Sequence, residues 1–346
     1  MESDRLLEME LMHRWSTRTY TGLYSMPADT PYFQTTIPHA ALRRSYVMNS
    51  ILAAAAVDLA VSAVEGPQAE KYYYMALKYG TQASAGFRTE LENINEENLH
   101  ILYHISALLA VWNYTMAGRH GSTLDRMHVI FDMFFGAATI AWTNPKWLTS
   151  VPSSSRDAIY LKPLTMDVVD ANTLTALGYL ATVSRQIHVR PIRTPIAMFN
   201  LEFETEGPLL ASEAYRIPIA QLRYSFAEDA VDRIKGYVMS LITVGGPEFV
   251  AAVKAHEPMA LFMLMYFGVL VNRSSSQETR WWLGTAGRDI VSEISDILEN
   301  SPIARIPEGR LGMSWTREQV GLPPLADVGL GQSFCSLTEI ESLFLT

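Results

Sequence analysis

This chain of 346 residues is poor in cysteine and in charged side chains. A lone cysteine, Cys335, excludes an internal disulfide framework and any zinc site built from several cysteines. Charged residues make up 18% of the sequence and hydrophobic residues 49%, whereas roughly 25% charged residues is usual in soluble domains. A chain of this length and composition is expected to bury a large core.

The sequence also lacks a basic segment, a signal peptide and a long uninterrupted apolar run. A net charge of −9 disfavours binding to the phosphates of nucleic acids. The acidic N-terminal residues contain no apolar stretch of the kind that a signal peptide needs. The stretches 47–64 and 259–271 are short or interrupted by Asp58, Pro258 and Asn272, so we predict no span of the roughly 20 apolar residues that a membrane requires. The cytoplasm is the expected location by default.

Common catalytic motifs are missing as well. The sequence has no phosphate-binding GxxxxGK[ST], no GxGxxG after a strand, no GxSxG and no HExxH. His100 and His104 lie four residues apart on a predicted helix, which could place two imidazoles together. Because no third ligand is marked nearby, we expect one of them to be exposed and the other hydrogen-bonded in the core.

Apolar residues recur with helical spacing along most of the chain. Residues 40–64 are apolar on nearly every side, which is typical of a core helix. Ser122 followed by Asp125 resembles a capping box and predicts a helix start. The predicted helices span 5–20, 40–64, 69–92, 96–116, 122–142, 170–186, 219–243, 247–255, 258–272 and 278–299, with irregular segments at 21–38, 143–168, 188–218 and 300–346. The sequence therefore predicts one large all-α domain over residues 1–346, with about ten helices.

Three segments, taken in order, resemble a known family. They are LLEMELMHRWSTRTY at 6–20, SILAAAAVDLA at 50–60 followed by YYYMALKYGTQASAGFRTEL at 72–91, and RWWLGTAGRDIVSEI at 280–294. Their order and spacing resemble the C-terminal ligand-binding domain of fungal zinc-cluster transcription regulators, the sterol-sensing group in particular. The resemblance covers nearly the whole chain, and it implies an all-helical fold around a buried apolar cavity that holds a lipid-like ligand.

The chain departs from that family in having no zinc cluster, which needs six cysteines in a basic N-terminal segment. We therefore expect a stand-alone protein that does not bind DNA by that route, with a regulator fragment as the alternative. In length and in the missing finger, the sequence is similar to fungal humulene synthases of tropolone sesquiterpenoid pathways. That likeness implies a sesquiterpene cyclase that uses Mg²⁺ to ionise farnesyl diphosphate. The alternatives are a lipid- or sterol-sensing domain with a protein partner and a metal-independent cyclase or isomerase, and a homodimer stays open.

Two carboxylates fall in apolar surroundings. Asp58 interrupts an alanine-rich run, where members of the regulator family typically carry a histidine, and Asp132 lies in MHVIFDMFFGAATI. An isolated carboxylate in such surroundings costs several kcal/mol unless it is paired, protonated or bound to metal. Each residue either lies at a helix edge that meets water or an arginine, or points into the cavity to hold a cation. On the second interpretation, Asp58 and Asp132 are the predicted Mg²⁺ ligands.

Other acidic groups are weaker candidates for a metal site. They are Asp167 with Asp170 at a helix start, Glu228 with Asp229 and Asp232 in an EDAVD segment, and Asp289 with Glu293 and Asp296. The last two groups lie off the apolar faces of their helices, so we expect surface salt bridges there, for example with Arg233.

A diphosphate would also need basic groups, and a carbocation would need aromatic walls. Asn272 and Arg273 end an apolar helix, Arg280 precedes Trp281, and Arg288 follows two turns later. These residues are the predicted diphosphate ligands, with an ordinary polar loop as the alternative. The aromatic side chains predicted to face the cation, each of which could instead be plain core, are Tyr103, Trp112, Phe131, Phe134, Tyr266, Phe267 and Trp282.

Overall fold

The computed structural model describes residues 2–23, 26, 29–63, 65–117, 121–144, 146, 164–192, 207–234, 236–275 and 280–326. Within these ranges the chain is almost entirely helical, with thirteen α-helices, so the all-α prediction is confirmed. In chain order they are α1 Glu2–Thr17, α2 Ile37–Ala41, α3 Ser45–Ser62, α4 Pro67–Glu90, α5 Leu99–Met116, α6 Thr123–Thr143, α7 Ala171–Ser184, α8 Ala211–Ala214, α9 Arg216–Val231, α10 Ser240–Lys254, α11 Pro258–Ser275, α12 Ala286–Leu298 and α13 Pro307–Gln319.

Short irregular elements join these helices. Among the described residues, the only strands are β1, His188–Val189, and β2, Leu209–Leu210, which pair antiparallel. Single turns of 3₁₀-helix lie at Thr19–Gly22, Leu91–Asn93, Met166–Val168, Tyr237–Met239 and Ile303–Arg305, and a π-turn lies at Tyr32–Thr36.

Two hydrophobic clusters form the core. The N-terminal cluster is built mainly by α1 to α5 around α3, where Val47 to Val57 are buried almost without interruption. The C-terminal cluster surrounds α11, in which every residue from Met259 to Val271 is buried. Helices α5 and α6 contribute side chains to both clusters. The space between the clusters is therefore bounded by these two helices.

The apolar helices also bear on the question of a membrane span. By length and composition alone, helix α3 could cross a membrane, and 67% of the tested window is buried inside the protein. The stretch Tyr237–Lys254 passes the same test only when joined to α11 across a bend of 114°. A buried core helix satisfies this test as readily as a membrane span does, and α3 is the centre of a core cluster.

The prediction of one continuous helix over 219–243 is wrong, because the structure has two helices there, separated by a break. Helix α9 ends at Val231, and Asp232 and Gly236 adopt left-handed φ angles of 48° and 67° before the chain resumes in α10. A left-handed residue cannot continue an α-helix, and glycine adopts that conformation at little cost. This break, together with the 3₁₀ turn Tyr237–Met239, later forms one wall of the cavity.

The segment 300–346 was predicted to be irregular, but helix α13 forms over Pro307–Gln319. Its glycines are needed for close packing, since a Cβ at Gly309 would lie 2.1 Å from the carbonyl oxygen of Ile303. A Cβ at Gly312 would lie 2.7 Å from the hydroxyl of Tyr266. Pro307 at the first turn suits a helix start.

Candidate functional site

A cavity of about 220 Å³ is lined by residues of both hydrophobic clusters. Its lining comes from α5, from one residue of α6, from residues that precede α2, from Ile234, from the stretch 236–243 and from Arg280 and Trp282. The residues lining it are Gly22, Leu23, Phe33, Tyr103, His104, Ala107, Leu108, Val111, Phe134, Ile234, Gly236, Tyr237, Met239, Ser240, Thr243, Arg280 and Trp282. Among these described residues, Arg280 is the only one with a formal charge at neutral pH.

Arg280 is a buried cation at the edge of this cavity. The residue is 7% exposed, and no carboxylate of the described chain forms an ion pair with it. Burial lowers the pKa of Arg280 to about 10, against the opposing charge of Asp232, so the guanidinium stays charged at neutral pH. A buried charge without a partner costs several kcal/mol. The geometry is therefore suited to an anion that enters the cavity.

Gly236 explains how the guanidinium fits there. A Cβ at Gly236 would lie 2.4 Å from Nη1 of Arg280, and the glycine has φ +67°. The guanidinium thus lies directly against the backbone at the break between α9 and α10. Any side chain at this position would displace it.

His104 is another nitrogen-bearing side chain in the cavity wall, in addition to Arg280. Its Nδ1 lies 2.7 Å from the carbonyl oxygen of His100, which can only accept, so Nδ1 carries the hydrogen and Nε2 holds a lone pair. Burial lowers the pKa of His104 to about 4, so the ring is neutral at pH 7. The ring packs against Tyr32, Phe33 and Tyr103 at centroid distances of 4.5, 5.5 and 5.0 Å. The expectation of a hydrogen-bonded core histidine fits His104, whereas His100 is half-buried rather than exposed.

The hydroxyls of α10 in the wall are engaged within the protein. Ser240 Oγ accepts from Gln221 Nε2 at 2.5 Å and donates to the carbonyl oxygen of Tyr237. Thr243 Oγ1 donates to the carbonyl oxygen of Ser240 at 2.9 Å. These bonds hold the side chains of Ser240 and Thr243 in place in the cavity wall.

A second pocket, of about 20 Å³, shares Ile234, Gly236 and Tyr237 with the cavity. Its oxygen-bearing lining includes Ser225, Asp229, Asp232 and Ser274. Asp229 Oδ2 accepts from Arg273 Nη1 at 3.1 Å, and desolvation raises the pKa of Asp229 in spite of that partner. Asp232 is exposed. The salt bridges expected for the EDAVD segment form at Asp229, with Arg273, and at Glu228, which is buried and pairs with Arg233.

Asp58 is buried, as predicted, but its carboxylate is fully engaged. Oδ2 accepts from Arg14 Nε at 2.8 Å and from Thr19 Oγ1 at 2.8 Å, and Oδ1 accepts from Arg14 Nη2 at 3.0 Å. The residue joins α3 to α1 within the N-terminal cluster and does not line the cavity. Its surroundings fit the arginine-paired interpretation and leave no oxygen free for a cation.

Asp132 is not buried, which fits the first interpretation, a helix edge that meets water, and contradicts the interpretation that it points into the cavity. Its side chain is 59% exposed, and both carboxylate oxygens lie 2.6 Å from Lys254 Nζ. The neighbouring Phe131 faces the core, so the helix turns Asp132 toward solvent in spite of the apolar run around it. The structure does not bring Asp58 and Asp132 into one site, and this pair does not fit a magnesium centre.

We expect the two aspartates to differ sharply in their contribution to stability. Asp58→Asn should lower the free energy of unfolding by about 3 kcal/mol or more, because it leaves the inward-facing Arg14 without its counter-charge. Asp132→Asn breaks an exposed pair and should cost less than about 1 kcal/mol. Urea unfolding followed by circular dichroism measures both values. Equal effects would contradict the assignment of Asp58 as a structural ion pair.

The four predicted diphosphate ligands are not brought together. Arg280 lines the cavity, whereas Arg273 binds Asp229 and donates to Gln319 Oε1 at 2.8 Å. Arg288 is exposed on α12, and Asn272 is half-buried near the end of α11. Only Arg280 among them lines the cavity.

Two of the remaining acidic candidates, Asp170 and Glu293, bind backbone N–H groups at helix starts. Asp170 accepts from the backbone N–H of Thr173 at 2.9 Å at the start of α7. Glu293 accepts from the backbone N–H groups of Thr123 and Leu124 at the start of α6, where the predicted cap Ser122 is confirmed. Anionic groups at helix starts are favoured by the helix dipole.

The predicted aromatic residues divide between the cavity and the core. Tyr103, Phe134 and Trp282 line the cavity, and Trp282 Nε1 donates to the carbonyl oxygen of Gly22 at 3.0 Å. Four do not line it, and these are Trp112, Phe131, Tyr266 and Phe267. Trp112 instead covers Gly80 and donates to the carbonyl oxygen of Ala76, and Tyr266 stacks on Trp315. Sequence reasoning missed Phe33, which lies in a segment predicted as loop, and His104 as a cavity residue.

Comparison with known proteins adds no family. No family model matches the chain, and no curated protein matches it significantly. The resemblance to fungal regulator domains and to humulene synthases therefore stays a prediction.

Proposed function

We propose that this chain binds a prenyl diphosphate in the Arg280 cavity and acts as a sesquiterpene cyclase, converting farnesyl diphosphate to a humulene-type hydrocarbon. The observation that carries this proposal is the buried guanidinium of Arg280, which has no ion-pair partner in the described chain. A diphosphate would supply that partner through charge-assisted hydrogen bonds. A neutral sterol hydroxyl would leave the charge unpaired.

The other walls suit an unsaturated hydrocarbon. Phe33, Tyr103, Phe134 and Trp282 present aromatic rings, which can stabilise a passing carbocation through their π faces. At about 220 Å³ the cavity is below the roughly 300 Å³ at which ligand pockets usually begin. A fifteen-carbon chain would therefore require some wall side chains to move on binding.

A divalent cation would find its donors in the small pocket beside Arg280. Mg²⁺ usually takes one or two carboxylates together with substrate phosphates. Asp229 and Asp232, with the hydroxyls of Ser225 and Ser274, are residues of that chemistry, and they share a wall with the cavity. Asp229 would have to exchange its bond to Arg273 for one to the metal. When bound, the metal would neutralise charge on the leaving diphosphate. The residues that would hold Mg²⁺ are thus these, rather than Asp58 and Asp132.

A direct test is incubation of the pure protein with farnesyl diphosphate and magnesium, followed by gas chromatography–mass spectrometry. We expect a cyclic hydrocarbon that disappears when a chelator is added. Turnover that persists with chelator would support the metal-independent alternative. Tight sterol binding without any turnover would overturn the cyclase.

That second function, a lipid- or sterol-sensing domain, is favoured by one observation. Apart from Arg280, the described cavity wall carries no charged side chain, and none of the predicted acidic residues faces it. Such a wall suits a passive lipid receptor. Titration with a sterol and with farnesyl diphosphate separates the two functions, because only the second ligand satisfies the guanidinium.

The contact between Gly236 and Arg280 gives a prediction that isolates the position of the guanidinium. Gly236→Ala should weaken the binding of farnesyl diphosphate at least about tenfold, since a Cβ would displace Nη1 of Arg280. Gly284→Ala is a matched control. Gly284 also has a positive φ, +52°, but its Cβ would meet nothing within 4 Å. Isothermal titration calorimetry of both variants measures the difference, and equal losses would show that backbone strain alone is responsible.

A further inference from the structure

The cavity contains a basic nitrogen that the proposed function has not yet used. His104 has no hydrogen bond in the described chain other than the one from Nδ1 to the carbonyl oxygen of His100. The ring lines the cavity and is enclosed on its other sides by Tyr32, Phe33 and Tyr103. Nε2 is therefore the ring nitrogen that remains for the contents of the cavity, and it holds a lone pair.

We infer that His104 is the base that accepts the proton at the end of the cyclisation. This inference rests on the proposed function, since it needs a carbocation in the cavity. It assigns His104 as a catalytic residue, in contact with the substrate, and it places Arg280 and His104 in separate roles. Arg280 binds the diphosphate and His104 completes the hydrocarbon.

The cyclisation moves one proton from the substrate to the released diphosphate by way of His104. Ionisation breaks the bond between carbon and the diphosphate oxygen, and the electron pair leaves with the diphosphate. The π electrons of the distal double bond then form a C–C bond to the cationic carbon, and the positive charge moves to the other carbon of that double bond, which gives a cyclic carbocation. The lone pair of His104 Nε2 takes a proton from the carbon next to the cationic centre, and the electrons of that C–H bond form the new double bond. The imidazolium afterwards returns its proton to the released diphosphate, which leaves the protein in its starting state.

The surroundings of His104 suit this role. Burial keeps its pKa near 4, so the nitrogen is unprotonated at neutral pH, and a carbocation is acidic enough to protonate even a weak base. Asp29, a carboxylate that is 1% exposed, acts in the opposite direction and raises the pKa of His104. Its charge would stabilise the imidazolium once it forms.

The test compares two quantities in the same reaction, the release of diphosphate and the yield of humulene. His104→Phe keeps a ring in the wall and removes the nitrogen. We expect its diphosphate release to stay within about threefold of the unaltered protein, while the humulene share of the products falls at least about tenfold. Alcohols and acyclic alkenes should replace it, because the cation then ends by capturing water or by losing a proton elsewhere.

His100→Gln is the matched control. It lies one turn away on α5, outside the cavity lining, and it keeps the backbone carbonyl that orients His104. We expect an unchanged product mixture. If His104→Phe does not fold, His104→Gln decides by the same criterion, since an amide also lacks a basic nitrogen.

The outcomes separate the two proposals. An unaltered humulene share in a folded His104 variant overturns the role of His104 and leaves the cyclase standing. A loss of diphosphate release and humulene in equal proportion also overturns it, because a merely structural residue would have that effect. No turnover by the unaltered protein overturns the cyclase itself, and the role of His104 with it.

Discussion

Arg280→Met is expected to weaken the binding of farnesyl diphosphate about a hundredfold while making the folded protein more stable. Removing one partner of a buried, hydrogen-bonded charge pair costs about 3 kcal/mol, or about a hundredfold in the dissociation constant. The guanidinium is 7% exposed and has no ion-pair partner in the described chain. Replacing it with an apolar chain of similar length should therefore raise the free energy of unfolding by about 1–2 kcal/mol. Calorimetric titration and urea unfolding measure the two effects.

The opposite signs of these effects make the prediction specific. A residue that only supports the fold would lose stability and binding together. Arg288→Met is the control, because Arg288 is exposed on α12, and it should change neither quantity. If Arg280→Met keeps its affinity and loses stability, protein groups hold the guanidinium and the cavity is not an anion site.

Gly287→Ala is expected to destabilise the fold strongly. A Cβ at Gly287 would lie 2.2 Å from the backbone nitrogen of Asn272 and 2.5 Å from the carbonyl oxygen of Gly268. Backbone atoms of α11 cannot move aside as a side-chain end can, so α12 itself must shift. Overpacking of this kind costs about 3 kcal/mol or more.

The control for Gly287 is Gly178 in α7, which is exposed and whose Cβ would meet nothing within 4 Å. Gly178→Ala should stabilise its helix by about 0.5–1 kcal/mol, because alanine is the better helix former. Thermal unfolding of both variants gives the comparison. A Gly287→Ala protein as stable as the unaltered chain would show that α11 and α12 do not cross as closely as described.

Helical periodicity was sufficient to predict most of the fold. The long apolar segments that became α3 and α11 lie in the core, and Ser122 caps α6 as its spacing indicates. The break between α9 and α10 could not be predicted, because the left-handed conformation of Asp232 depends on the packing around it. Helix α13 was missed because its glycines suggest turns, whereas they allow close contacts.

The candidate site was predicted only in part. Arg280 and Trp282 were predicted as site residues from the segment RWWLGTAGRDIVSEI at 280–294, and both line the cavity. The apolar sequence around Asp58 correctly indicated burial, but the partner Arg14 lies 44 residues away and leaves no trace in the local pattern. The apolar run around Asp132 does not show which side of the helix the carboxylate lies on, because one step along a helix separates a buried side chain from an exposed one.

The most direct test of the central claim compares the affinities of the unaltered protein for two ligands that share one hydrocarbon chain. Farnesyl thiolodiphosphate, which resists ionisation, carries the diphosphate, and farnesol carries a neutral hydroxyl. Because Arg280 is a buried cation that a diphosphate can pair with and a hydroxyl cannot, we predict that the diphosphate analogue binds at least about a hundredfold more tightly at constant salt. Equal affinities for the two ligands would contradict the account.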